Sequence, residues 1–230
     1  MPETGKPGKI GSHEKEESPL DTLKEKYPRA GFEGLLFFEI CADVCISMKE
    51  EREELAKLER LRSKGRSLRR RSVEELGLLD EINKHECVAI TFAAMCLESC
   101  IWDYAASSTS QSYTEDYLEK LDFVARWVLI PKLTCGADIT QARIGDTCLL
   151  DKLRKLRKAR NALVHAKSHS QPNTLTGIVK AMNRKRDITG VDAFGLIGLL
   201  LRELENVDKT KWWLFRTPAY RHSMGRIRAT

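Results

Sequence analysis

The segment Val88-Ala89-Ile90-Thr91-Phe92-Ala93-Ala94-Met95-Cys96-Leu97-Glu98-Ser99-Cys100-Ile101-Trp102 constrains the fold more than any other. It is apolar nearly all round when wound as a helix. Such a helix must be covered on every side, so it is expected at the centre of a bundle. Ser72-Val73-Glu74-Glu75 has the spacing of a capping box and opens it. Around it, Leu36, Ile40, Val44 and Met48, then Leu55, Leu58 and Leu61, recur at three-and-four spacing, predicting a helix from Phe32 to about Lys64. Further helical patterns run from about Tyr117 to Pro131, from Thr147 to His165, and from Val191 to Val207. No segment alternates as a strand does. The expectation is an all-α fold, an up-and-down bundle of four to five main helices.

Residues 1–28 are polar and read as a disordered tail, 29–210 as the helical domain, and 211–230 as a basic, aromatic extension. Apolar runs such as Val88 to Leu97 are shorter than a bilayer span, and Met1 to Lys6 lacks a signal peptide's apolar core. A cytoplasmic protein with no membrane partner is expected. The 7 cysteines are odd in number. Cys41 and Cys45, and Cys96 and Cys100, share helix faces, which favours buried reduced thiols over a metal site or disulfide framework. No metal and no cofactor are expected.

Several local features carry two readings. Arg66, Arg69, Arg70 and Arg71 form either a solvated connector or a nucleic-acid contact. Ser112-Tyr113-Thr114-Glu115 reads as another capping box, opening a stripe of Tyr117, Leu118, Leu121, Val124 and Val128 that ends at Pro131. Trp127 reads as packing. Residues 135–146 read as a loop, and Thr176 to Lys185 as a short basic helix. Trp212, Trp213, Phe215 and Tyr220, interleaved with Arg216, Arg221, Arg226 and Arg228, either pack on the bundle or stack on unpaired bases.

Arg160 is the charged residue most out of place. On a 100° helical wheel, Leu149, Leu153, Leu156, Leu163 and Val164 all lie within about 60° of it. A guanidinium centred on an apolar stripe is paired, at an interface, or lining a site. Glu98, embedded in the central helix, is the partner expected for it, either as a structural ion pair or within a site. Asn161 and His165 flank the same stripe.

The chain has no P-loop, no His-Glu-x-x-His, no two-metal carboxylate cluster and no Gly-x-Ser-x-Gly elbow. Acid-base chemistry by His with Arg support remains. RNA carries its own nucleophile, the 2′-hydroxyl. Its cleavage then needs a proton-transfer group such as His165 and a cation such as Arg160 to hold the phosphate. Asn161 is placed to contact a phosphate oxygen or orient the imidazole. Lys152, Arg154, Lys155, Arg157 and Lys158 offer a basic approach for RNA, or simply a solvated face. By composition alone, an Arg with a His five places on is expected about 0.4 times, and with Asn directly after the Arg about 0.01 times.

Arg160-Asn161-Ala162-Leu163-Val164-His165 resembles the hallmark of the HEPN superfamily, an Arg followed by four to six residues and a His, often with a polar residue after the Arg. Ile90 to Glu98 looks like that family's earlier core helix, whose acidic residue often faces the motif. Leu121 to Leu133 looks like the segment preceding the motif helix. The resemblance covers roughly residues 32–207. It implies a helical bundle, a two-fold homodimer with the motifs facing each other, and metal-independent endoribonuclease activity of the toxin or phage-defence kind, with an antitoxin or regulatory partner. The site residues it implies are Arg160, His165, Asn161 and Glu98. Of the surrounding cations, Arg154, Arg157, Lys158 and Lys167 are the ones expected on the RNA. Where some toxin members carry a nucleotidylated Tyr two places after the His, this chain has Lys167, so that mode of neutralisation does not carry over. The resemblance does not extend to residues 168–188 or to the C-terminal end. The alternatives are a non-catalytic module binding RNA, a nucleotide or a protein, and a structural protein in which Arg160 and Glu98 merely pair.

Overall fold

The computed structural model describes residues 32–64, 71–144, 147–164 and 187–210. Within these the chain is helical almost throughout. Helix α1 spans Phe32–Lys64 and α2 spans Val73–Ser108. A single turn, Gln111–Tyr113, runs into a π-helical turn, Thr114–Leu118. Helix α3 covers Phe123–Cys135, α4 Leu149–Val164 and α5 Gly190–Val207. Between α3 and α4 lie a 3-10 turn, Ile139–Gln141, and a two-residue antiparallel pair in which Arg143 faces Cys148 and Ile144 faces Thr147. The expected loop over 135–146 therefore has local structure of its own.

Helices α1 and α2 run antiparallel, as their partners show. Gly34 lies against Ser99, the Cys41 thiol donates to the Ala89 carbonyl, and the Phe37 ring packs tilted against Phe92. Further along, Arg52 pairs with Glu86 and Arg62 with Glu75, the latter at 3.3 Å. Ser72 forms the expected capping box with Glu75 at the start of α2. Helix α2 also touches α3, α4 and α5, so every other long helix described leans on it. Its buried face, including Ile90, Ala93, Ala94, Leu97, Ile101 and Tyr104, is the middle of the core. By length and by a mean hydropathy of 1.3 over 18 residues, α2 as a whole could also cross a membrane, although its uninterrupted apolar runs are short. Burial between helices explains the same composition.

Glu86 ties α5 to this pair. One carboxylate oxygen receives Arg52 and the other accepts the backbone N–H of Gly190, the first residue of α5. An acceptor at a helix N-terminus satisfies an orphan donor and faces the positive end of the dipole. The approach is close enough that a Cβ on Gly190 would sit 2.8 Å from Ala89 Cβ. Thr189 and Asp192 complete a second capping box there.

Two expectations about the middle of the chain are corrected. Ser110, in extended conformation, caps the turn by accepting from Tyr113 N, and Ser112 lies inside the turn. The stripe from Tyr117 to Pro131 is broken, because Asp122 accepts from Val124 and Ala125 and starts α3 afresh. Pro131 then falls inside α3 and does not end it. Proline in a helix interior costs about 3 kcal/mol. Burial of Phe123, Val124, Trp127, Ile130 and Pro131 on one face of α3 opposes that cost. Trp127 is fully buried as packing, with its indole N–H unpaired among the described residues. The expected tail, most of the arginine-rich connector, the basic helix over 176–185 and the C-terminal extension lie outside the described residues. Arg71, within them, stands 4.0 Å from Glu59.

Candidate functional site

Helix α4 is built by its leucines. Leu149, Leu153 and Leu156 are fully buried, which turns one face of the helix into the core. Arg160 continues that face beyond them, as the helical wheel requires. Its Nη2 lies 3.5 Å from Glu98 Oε2 on α2, with the two side chains 30% and 29% exposed. The pair therefore sits at the edge of the core, desolvated enough to need each other and wet enough to meet a solute. Arg160 Nη1 donates to Asn161 Oδ1 at 3.4 Å. Its Nε is buried with no acceptor among the described residues. An unsatisfied buried donor costs roughly 1–3 kcal/mol, which a phosphate oxygen reaching the guanidinium would recover. Val164, expected on the packing stripe, is 54% exposed. His165 and Lys167 lie outside the described residues, His165 following directly on the last described residue of α4.

Three of the cations expected to approach RNA are held by carboxylates. Arg154 pairs with Asp151 at 3.4 Å, Arg157 with Asp122 at 3.2 Å and Lys158 with Asp187 at 2.6 Å. Burial pushes the Asp122 carboxyl up, but the N–H groups of Ala125 and Val124 together with Arg157 outweigh it and hold it below its usual value. The hydrogen bond and charge of Lys158 hold Asp187 low against a small desolvation. These pairs are exposed, so each is worth little and its cation can exchange to another anion. Still, they reduce the positive field of this face, and neither Asp122 nor Asp187 is near its partner in sequence.

A cavity of about 530 Å³ opens on the Glu98 side of the ion pair. Phe37 of α1, Met95, Glu98, Ser99, Trp102 and Asp103 of α2, Glu119 and Arg126 line it. Arg126 fixes one wall by donating to the backbone carbonyls of Leu121 and Glu119 at 2.9 and 2.6 Å. Of these residues only Glu98 stood out beforehand. The signal was there: Met95, Ser99, Trp102 and Asp103 follow the same three-and-four spacing, so a polar-aromatic face is written into an otherwise apolar helix.

The thiols are structural. Cys41, Cys45 and Cys96 are buried, and none of the seven cysteines forms a disulfide. Hydrogen bonding to Cys45, then burial, pushes the Cys41 thiol up, and Cys100 and burial do the same to Cys96. Among the described residues, no group of three His, Cys, Asp or Glu side chains is placed to hold a metal ion. Comparison of the chain with protein-family models, curated proteins and solved structures finds no match.

Proposed function

We propose that the chain is a metal-independent endoribonuclease of HEPN type, folded as an up-and-down helical bundle and working as a cytoplasmic homodimer. The observation that carries this reading is the Arg160–Glu98 pair, joined across two core helices, with His165 five residues on in the sequence. Arg160 would bind the scissile phosphate and stabilise the charge that builds on its oxygens, while Glu98 holds the guanidinium in place. Asn161 would donate its amide to a phosphate oxygen. His165 would remove the 2′-hydroxyl proton. O2′ then bonds to phosphorus, the P–O5′ bond breaks, and O5′ leaves with a proton from imidazolium. The products are a 2′,3′-cyclic phosphate and a 5′-hydroxyl. The exposed Val164 within the motif fits an interface that closes over a second copy. A toxin or phage-defence role, restrained by an antitoxin or regulatory partner, follows from the same resemblance.

End-group analysis of tRNA fragments tests the reading: ends resistant to phosphatase until acid opens the cyclic phosphate support it, and 3′-hydroxyl ends contradict it. A second reading has its own support. Because Arg154, Arg157 and Lys158 are already paired with carboxylates, the chain can be a non-catalytic HEPN-like module that binds RNA, a nucleotide or a protein. A titration with labelled RNA at two salt concentrations separates RNA binding from a purely structural role, since phosphate contacts weaken steeply with salt.

A further inference from the structure

We propose that the apolar cavity between the turns over 111–118 and helix α3 is the docking site of this chain's own C-terminal segment, Trp212-Trp213-Leu214-Phe215. The inference is independent of the nuclease reading and concerns another part of the molecule. The cavity has a volume of about 310 Å³ and is lined by Thr109, Tyr113, Leu118, Ile130, Leu133 and Thr134. Its rim is unusually apolar for a surface. Leu133 is 66% exposed and Tyr113 45%, and the exposed ring of Tyr117 stands 5.0 Å from that of Tyr113. Large apolar side chains gathered round a cavity mark a surface that something covers.

The place where the chain leaves the fold points to the occupant. Asp208, which closes α5, accepts the Tyr104 hydroxyl at 3.0 Å, and Tyr104 Oη lies 2.9 Å from Thr134 Oγ1 in the cavity wall. The other Asp208 oxygen accepts the N–H and the hydroxyl of Thr210, at 3.0 and 2.6 Å. Thr210 is thereby held near the cavity, and it is the last described residue before the aromatic segment. Trp212 follows two residues later and Phe215 five. An extended chain covers about 3.3–3.6 Å per residue, so the segment reaches the cavity. A partner from outside would have to compete with a sequence tethered at this point.

The walls suit an indole. A buried Trp needs an acceptor for its N–H. The hydroxyls of Thr109 and Thr134 give their protons to the carbonyls of Ala105 and Ile130, both at 2.9 Å, which leaves oxygen lone pairs in the wall to accept one. Leu118, Ile130 and Leu133 supply apolar surface for the ring. Glu115 and Asp116 are exposed on the same turn as Leu118, and Lys211 and Arg216 flank the aromatic segment with the opposite charge. Aromatics held here are withdrawn from stacking on unpaired bases.

Photo-crosslinking of the full chain, with a benzophenone amino acid in place of Leu133, tests this directly. Cross-links are expected to residues 212–215 of the same chain. Cross-links to those residues of a second chain, seen at twice the mass, or to none of them, overturn the proposal. Trypsin gives a second measure, since it cuts after Lys211 and Arg216. Leu133→Asp changes an exposed position and spares the fold. It is expected to speed those two cuts about tenfold or more, because proteolysis follows the population of the open form. Leu61→Asp, on an equally exposed leucine of α1, should leave them unchanged. Cutting rates unchanged in Leu133→Asp, or raised alike in both variants, overturn the proposal.

Discussion

Arg160 of α4 and Glu98 of α2 meet at 3.5 Å at the rim of the core, a charge pair that joins two helices. A carboxylate holding a guanidinium sets its orientation before any phosphate arrives. Glu98→Gln keeps the shape and removes the charge. It is expected to lower RNA cleavage about 10²- to 10³-fold, the range for losing one preorganised electrostatic contact. Single-turnover kinetics with melting temperature measured alongside check it, and unchanged cleavage in a folded variant would show that Glu98 does not act through Arg160.

Asp122 links the site's surface to the fold, capping α3 and pairing with Arg157 at 3.2 Å. Asp122→Ala is expected to cost about 1 kcal/mol, the usual loss for an N-cap. Because the folded carboxyl is held below its ordinary value, its contribution is complete above the unfolded value of about 3.9. It fades as pH falls through the lowered folded value. Urea melts of wild type and variant between neutral and strongly acidic pH should therefore converge at the acid end.

The sequence exposes some of this arrangement and hides the rest, for physical reasons. The limits of α1 and the start of α2 are legible because helical spacing and the Ser72 capping box agree. The Arg160–Glu98 pair is legible because a buried charge demands a partner and only one acidic residue interrupts the central apolar run. Ser110 and Asp122 are not legible as caps, since choosing among several polar residues depends on where the chain turns in space. Pro131 misleads because local propensity is overridden by the buried face around Trp127. The carboxylates holding Arg157 and Lys158 come from other elements, which no spacing within α4 can show.

Gly190 sits where α5 meets α2, with Glu86 accepting its N–H and Ala89 Cβ 2.8 Å from where a new Cβ would stand. Gly190→Ala is expected to destabilise the protein by about 1–3 kcal/mol through overpacking, despite alanine's better helix propensity. Denaturant melts give the sign at once, and a stabilised variant would mean that this contact can open without cost.

Burial and hydrogen bonding raise the Cys41 and Cys96 thiols, whereas Cys148 lies near the surface with its thiol 3.1 Å from Asp151. Alkylation needs the thiolate and access to it. Native protein treated with iodoacetamide at pH 8 should be labelled at Cys148 well before Cys41 or Cys96, read by peptide mass spectrometry. Early labelling of Cys96 would mean that α2 is not covered as described.

The central claim is tested most directly by incubating purified protein with total RNA in EDTA, with wild type beside Arg160→Ala and His165→Ala. Cleavage by wild type, with at least about 10²-fold loss in both folded variants, is the expected result. Equal cleavage by all three, or none by folded wild type, would contradict it.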